Sequence, residues 1–180
     1  MIAVSDSRGC IYSKAGLDIP KVIQQKEEKG VVARFPGSEA IGPEELLALP
    51  CDILVPAALE NAIHADNASQ VKAKIIGEAA NGPVTPEADR IFDDKGVFLI
   101  PDILCNAGGV TVSYFEWVQD EQHLFWEAQD VYTRLERVMK TSFNDVLKVH
   151  RDRKVNMRTA ANMLGISRVA EATRLRGLYP

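Results

Sequence analysis

Residues 74–100, KIIGEAANGPVTPEADRIFDDKGVFLI, determine the fold class of this chain. Residues 74–78 and 97–100 are short, largely apolar runs that are typical of buried strands. Between them, Thr85 followed by Pro86 and acidic residues is typical of a helix start. The order strand, helix, strand predicts a mostly parallel sheet that is covered by helices.

The same alternation continues toward the N-terminus. Apolar residues recur at helical spacing between Asp18 and Lys29, and Gly30 follows in the manner of a helix end. The other elements predicted here are a strand at 1–4 that stops at the turn 5–9, a helix starting at 43–47, and a strand at 53–55.

The C-terminal part of the chain has a different pattern. Leu124, Ala128, Val131 and Leu135 follow the spacing of one helical face, and a second such segment runs from 157 to 175 before Gly177 and Pro180. These patterns predict a helical tail from about residue 121. No linker or repeat interrupts the sequence, so we expect one domain over residues 1–180.

Composition excludes several classes of protein. The net charge of -4 and the pI of about 5.4 provide no basic surface for nucleic acid, so we expect no nucleic-acid partner. No apolar stretch approaches the length of a membrane span, so we expect no membrane partner. The three cysteines, Cys10, Cys51 and Cys105, show no metal-ligand spacing and indicate free thiols in the cytoplasm. We predict no metal site.

Asp6 is the first candidate binding residue. A carboxylate at the end of a strand is how dinucleotide-binding folds hold the adenosine ribose, and its charge favours NAD over NADP. Ser7 and Arg8 follow directly and are able to bind the 2′-phosphate of NADP, so the sequence is compatible with either NAD or NADP. The alternative is that Asp6 only caps a turn. The glycine fingerprint G-x-G-x-x-G occurs nowhere in the sequence.

Three loops of small or amide residues are further candidates. Residues 56–61 and 79–83 each follow a predicted strand, and ligands of parallel sheets bind beyond the carboxyl ends of strands. Asn106, followed by Gly108 and Gly109, forms a third loop whose amide is able to pair with a nicotinamide carboxamide. The alternative is that these loops are only tight connections.

Together these blocks resemble the glutamate dehydrogenase family, which includes leucine, phenylalanine and valine dehydrogenases. The blocks that carry the resemblance are, in the order and spacing of the family, AVSDSRG at 3–9, CDILVPAALE at 51–60, EAANGP at 78–83, PDILCNAGGV at 101–110, and the tail segments NMRTAA at 156–161, RVA at 168–170 and RG at 176–177. The resemblance covers essentially the whole chain. It implies an α/β, Rossmann-like doubly wound fold with a mostly parallel sheet and long C-terminal helices.

The resemblance also implies roles for individual residues. The implied coenzyme-binding residues are Asp6 and Ser7 at the adenosine ribose, Ala57 and Ala58 beside the coenzyme, Asn81 near the nicotinamide ribose, and Asn106 at the nicotinamide. Val110 and Ser113 match positions that meet the substrate side chain, where the Ser113 hydroxyl would donate to the γ-carboxylate of glutamate. The related leucine and phenylalanine enzymes have a pocket suited to apolar side chains instead.

The reaction that the resemblance implies is the reversible oxidative deamination of L-glutamate to 2-oxoglutarate and ammonia, with hydride transfer to NAD or NADP. The family's catalytic lysine and aspartate belong to a substrate domain that this sequence does not contain, so we expect no catalytic residue here. The implied full-length enzyme is a homo-oligomer. The alternatives are an inactive nucleotide-binding or assembly module and a dehydrogenase of branched-chain or aromatic amino acids.

The family's first nucleotide-binding strand and helix are also not included in these 180 residues. In the doubly wound order 3-2-1-4-5-6, that strand lies between the strands that here end at Asp6 and Val55. We therefore expect that these two strands pair with each other, that the chain borrows a strand from a partner, or that it is only marginally folded.

Overall fold

The computed structural model describes residues 1–177, and Pro180, predicted to help end the last helix, lies outside them. Six short strands alternate with eight helices in this part of the chain. They are β1 (Ala3–Asp6), β2 (Gly9–Tyr12), α1 (Ile19–Lys29), β3 (Glu39–Ile41), α2 (Pro43–Leu47), β4 (Ile53–Leu54), α3 (Ala65–Ala68), β5 (Ile75–Gly77), α4 (Pro86–Asp94), β6 (Phe98–Ile100), α5 (Asp102–Cys105), α6 (Gly108–Gln122), α7 (Ala128–Arg153) and α8 (Met157–Arg176).

A parallel sheet in the order β4-β5-β6 forms the centre of the larger part of the molecule. Alternate residues of β6 face opposite cores, as the two-residue period of a strand requires. Leu99 joins the core formed with α3 and α4, whereas Phe98 and Ile100 pack against the core of α5, α7 and α8. Helices therefore cover both faces of this sheet, which confirms the predicted α/β class.

The first three strands form a separate antiparallel sheet in the order β1-β2-β3. The expectation that β1 pairs with β4 is wrong, because β1 is hydrogen-bonded to β2 in a hairpin with Asp6 opposite Gly9. Strands β2 and β3 were not predicted. This sheet packs on α1 through its own small core of Ile11, Val22 and Val32.

The helix boundaries follow the local capping signals. Asp18 accepts a hydrogen bond from the Lys21 backbone N–H at the start of α1, and Gly30 ends that helix with φ of 71°. Thr85 caps α4 in the same way as predicted, with a bond from the Ala88 N–H. Helix α8 begins at Met157 after the cap Asn156.

The helical tail begins earlier than the predicted boundary near residue 121. Gly108 and Gly109, predicted to lie in a loop, are the first two residues of α6, so Asn106 and Ala107 alone connect α5 to α6. Helices α7 and α8 then occupy most of the predicted segments, but Leu124, predicted to lie on the first helical face, is in the connection between α6 and α7. No helix within residues 1–177 is long and apolar enough to cross a membrane.

Strand β4 exposes one edge of the parallel sheet. Its hydrogen-bonded neighbour is β5, and its other side has no pairing strand among residues 1–177. Ile53 and Val55 flank the buried Leu54 and are 59% and 55% exposed. An open edge with exposed apolar residues is a template for pairing with another strand.

We predict that the isolated chain self-associates through β4 or melts without a cooperative transition. Ile53→Lys places a charge beside the open edge and should shift the chain toward monomer in analytical ultracentrifugation. Ile23→Lys is the matched control, because Ile23 is similarly exposed, at 53%, but lies on α1 and not on a strand. A strictly monomeric wild-type chain with a cooperative thermal transition would contradict this prediction.

Candidate functional site

The loops that follow β4 and β5 are joined by backbone hydrogen bonds. The N–H groups of Ala79 and Ala80 both donate to the carbonyl oxygen of Pro56, each at 3.0 Å. The next residues of the first loop, Ala57 and Ala58, are exposed. The two small-residue loops predicted from the sequence therefore lie side by side at the carboxyl end of the sheet, where a flat ligand is able to approach the backbone.

Asn81 and Asn106 form a side-chain pair at the same place. The Asn106 amide nitrogen Nδ2 donates to Asn81 Oδ1 at 2.7 Å and to the Ala80 carbonyl oxygen at 3.3 Å. Asn81 is exposed and Asn106 is partly buried. The third predicted segment, which follows β6 and α5, is thus in direct contact with the second.

A pair of acids below the asparagines holds these segments together. Glu78, at the end of β5, is fully buried, and its Oε2 accepts a hydrogen bond from the Asp102 N–H at 2.7 Å. Asp102 in turn accepts a hydrogen bond from the Gly82 N–H at 2.8 Å. The segment that carries Asn81 and the segment that carries Asn106 are therefore connected twice beneath the amide pair.

Arg158, on the first turn of α8, neutralises this acidic cluster. Its guanidinium lies 2.7 Å from Glu78 Oε1, 3.2 Å from Asp89 Oδ2 and 3.5 Å from Asp102 Oδ1. Burial acts to lower the pKa of Arg158, but the hydrogen bonds and charges of Glu78 and Asp89 outweigh it, so the pKa lies above its usual value. The cluster thus contains a permanent cation.

Asp6 lies in the antiparallel sheet and binds groups of its own neighbourhood. Its carboxylate accepts hydrogen bonds from Lys26 Nζ at 2.5 Å, from the Arg8 N–H at 2.8 Å and from the Val32 N–H at 2.9 Å. These contacts, the Lys26 hydrogen bond first, lower the pKa of Asp6 from 3.8 to about 2. Asp6 therefore caps its turn, and its carboxylate is charged at neutral pH.

The remaining candidate residues are on exposed surfaces. Ser7 is exposed in the turn between β1 and β2. Val110 and Ser113 are three residues apart on α6 and share an exposed face with Trp117, which is 58% exposed. The recorded hydrogen bonds connect the loops of β4, β5 and α5 with one another, but they do not connect Asp6 or Ser113 to them.

Sequence reasoning missed the residues that hold the site in place, namely Glu78, Asp89, Asp102 and Arg158 in one cluster and Gln25 and Lys26 in the other. Gln25 is buried in α1, and its amide donates to three consecutive carbonyl oxygens at residues 31–33. One available signal was the ionisable Glu78 directly after the apolar run 75–77, since a charge in that position requires a partner.

The three cysteines are free, as the sequence predicted. Burial raises the pKa of each thiol, Cys10, Cys51 and Cys105. Among residues 1–177, no group of three or more His, Cys, Asp or Glu side chains is arranged to hold a metal ion.

A parallel sheet with small-residue and amide loops meeting at its carboxyl edge defines the class of α/β proteins that bind a ligand at that edge. A sequence model of the Glutamate/Leucine/Phenylalanine/Valine dehydrogenases matches residues 1–177. The chain belongs to this family.

Individual relatives agree with that assignment. The chain is 58% identical over its whole length to the glutamate dehydrogenase of Thermotoga maritima, of which it covers 43%. It is 45% identical over 98% of its length to the cryptic catabolic NAD-specific glutamate dehydrogenase of Bacillus subtilis, of which it covers 41%. The hetero-hexameric glutamate dehydrogenase of Thermus thermophilus, solved in a Leu-bound form, superimposes with a TM-score of 0.91 at 37% identity, over 99% of this chain and 42% of that one.

The Asp6 contacts predict a specific acid dependence of stability. Because the pKa of Asp6 is lowered in the folded chain, its stabilising contribution is complete above about pH 4 and is lost as the pH falls toward 2. Asp6→Asn should therefore be less stable than wild type in urea unfolding at pH 7, and the difference should shrink only below about pH 4.

Asp52→Asn is the matched control for this experiment. Asp52 pairs with Lys74 at 2.7 Å, but both side chains are largely exposed, at 81% and 77%. Exposed ion pairs contribute little to stability because water and salt screen them, so this variant should unfold nearly like wild type. A difference between Asp6→Asn and wild type that stays constant from pH 7 to pH 3 would show that the carboxylate charge is not responsible.

Proposed function

We propose that this chain is the coenzyme-binding part of a glutamate dehydrogenase, which converts L-glutamate reversibly to 2-oxoglutarate and ammonia with NAD or NADP. The observation that carries this proposal is the contact between Asn81 and Asn106 beside the joined loops after β4 and β5. The chain spans about two fifths of the length of the relatives described above, which are named for glutamate.

The residues at the sheet edge fit the nicotinamide half of a dinucleotide. Exposed Ala57 and Ala58 allow a close approach of the backbone. Asn106 uses its Nδ2 for Asn81 and Ala80, and within residues 1–177 its Oδ1 has no recorded partner. We infer that this oxygen accepts a hydrogen bond from the nicotinamide carboxamide, while Asn81 faces the adjoining ribose. When bound, the coenzyme accepts the hydride that leaves the substrate.

Asp6 and Ser7 would meet the adenosine ribose. Three donors occupy part of the Asp6 carboxylate, which has about four acceptor positions, so one remains for a ribose hydroxyl. The low pKa of Asp6 keeps the group negative, which opposes a 2′-phosphate and favours NAD. Exposed Arg8 directly after Ser7 supports a weaker use of NADP.

The exposed face of α6 is proposed to meet the substrate. Val110 and Ser113 lie three residues apart on this face, and the Ser113 hydroxyl would donate a hydrogen bond to the γ-carboxylate of glutamate. These residues bind and orient the substrate only. The lysine and aspartate that move protons in the family would come from outside these 180 residues, in a cytoplasmic homo-oligomer.

The activity is testable in a chimera in which this chain replaces the 43% of the Thermotoga maritima enzyme that it matches. We expect the chimera to reduce NAD in the presence of glutamate, measured by absorbance of NADH, and to prefer glutamate to leucine and phenylalanine. A chimera that melts cooperatively yet shows no turnover with any of the three amino acids would contradict the proposed function.

Ser113→Ala in the same chimera tests the choice of substrate. Loss of a hydrogen bond to a charged group should weaken transition-state binding by about 1–3 kcal/mol, which lowers kcat/KM for glutamate roughly 5- to 150-fold. Ser167→Ala is the control, because Ser167 is exposed on α8 and bonds only to the carbonyl of Leu164. Unchanged turnover of glutamate in Ser113→Ala would end the assignment of this residue to the γ-carboxylate.

A further inference from the structure

Glu78 is the one acid among the recorded buried polar side chains of residues 1–177. Both of its oxygens are used, Oε1 by the Arg158 guanidinium and Oε2 by the Asp102 N–H, each at 2.7 Å. A buried carboxylate stays ionised only when such partners replace the water that it has lost. Its position therefore depends on a residue of the C-terminal helix, 80 positions further along the chain.

Asp102 connects Glu78 to the loop that follows β5. Its backbone N–H is held by Glu78, and its side chain accepts from the Gly82 N–H at 2.8 Å while lying 3.5 Å from Arg158. Gly82 has a positive φ of 52° and directly follows Asn81. Asp102 begins α5, the single helical turn that ends at Cys105 and is directly followed by Asn106. Each asparagine of the amide pair is thus within a few residues of a group that the cluster fixes.

We propose that Arg158 is a positioning residue for the nicotinamide end of the coenzyme site, acting through Glu78 and Asp102 on the Asn81–Asn106 pair. The proposal rests on the proposed function. Arg158 itself does not touch the coenzyme. Its guanidinium spans three carboxylates through its planar, spread set of donors, whereas a lysine ammonium is a single point of charge on a flexible stem.

Without Arg158, Glu78 and Asp102 would face each other with no cation between them. Glu78 would then lose the charged partner of its Oε1 and move toward water, which weakens its hold on the Asp102 N–H. The Asp102 contact to Gly82 would loosen next, so the orientation of the Asn106 amide would no longer be fixed. The distant ribose contacts of Asp6 share no recorded hydrogen bond with this cluster and should be unaffected.

The first measurement uses the chain without ligand. In Arg158→Met, the Asn106 side-chain amide should shift in proton–nitrogen NMR spectra, and the backbone amides of Gly82 and Asp102 should exchange faster with deuterium. Arg168→Met is the matched control, since Arg168 lies on the same helix and pairs with Asp145 at the surface. It should leave all three signals in place.

The second measurement compares two ligands that differ only in the nicotinamide. In the Thermotoga maritima chimera, Arg158→Met should weaken NADH binding by about tenfold, the equivalent of one hydrogen bond, while binding of ADP-ribose stays within about twofold of the chimera with Arg158 intact. A residue with a merely structural role would weaken both ligands equally. Arg158→Lys should give the same pattern to a smaller extent, because it retains the charge but not the three contacts.

The outcomes separate the two proposals. If the chimera with Arg158 intact binds neither ligand, the coenzyme site is wrong, whereas the ligand-free NMR measurement still decides the positioning role. Fast exchange at Ile76 and Leu99 would reveal that Arg158→Met unfolds. In that case Arg158→Lys decides whether Arg158 has the positioning role. Unchanged Asn106, Gly82 and Asp102 signals in a folded Arg158 variant, or equal losses of NADH and ADP-ribose affinity, would overturn the inference.

Discussion

A buried negative charge at the end of β5 constrains the arrangement of the larger half of the molecule. Glu78 has no exposed surface, so its charge is tolerated only because Arg158 and the Asp102 N–H satisfy it. Removing an ion from water costs several kcal/mol, and that cost is offset only in good geometry. The last helix, the short helix α5 and the loop after β5 are therefore fixed relative to one another by one side chain.

The parts of the fold that were predictable are those with complete local signals. The sequence signals for β5, for β6 and for the capped start of α4 each lie within a few neighbouring residues. All three elements form as expected. Strands β2 and β3 are four and three residues long, and β3 pairs with β2 about 30 residues away, which leaves little trace in sequence. Gly108 begins a helix despite its poor propensity, and it lies beside Leu135 of α7.

The candidate site shows the same division between local and distant information. The loops of small and amide residues were predictable, since the carboxyl ends of parallel strands share one edge of the sheet. The ion pair between Glu78 and Arg158 joins residues 80 apart, and no periodic pattern connects them. Asp6 was identified as important, but the contacts with Lys26 and Val32 that engage it arise only when α1 folds back onto β1.

The state of the cysteines has a practical consequence for labelling. Thiolates are the reactive form, and burial keeps the pKa of Cys10, Cys51 and Cys105 high, so all three native thiols are slow nucleophiles near neutral pH. A cysteine introduced at an exposed place such as Ser7 would have an ordinary reactivity. Maleimide dyes should therefore react faster at that position than at the three native thiols.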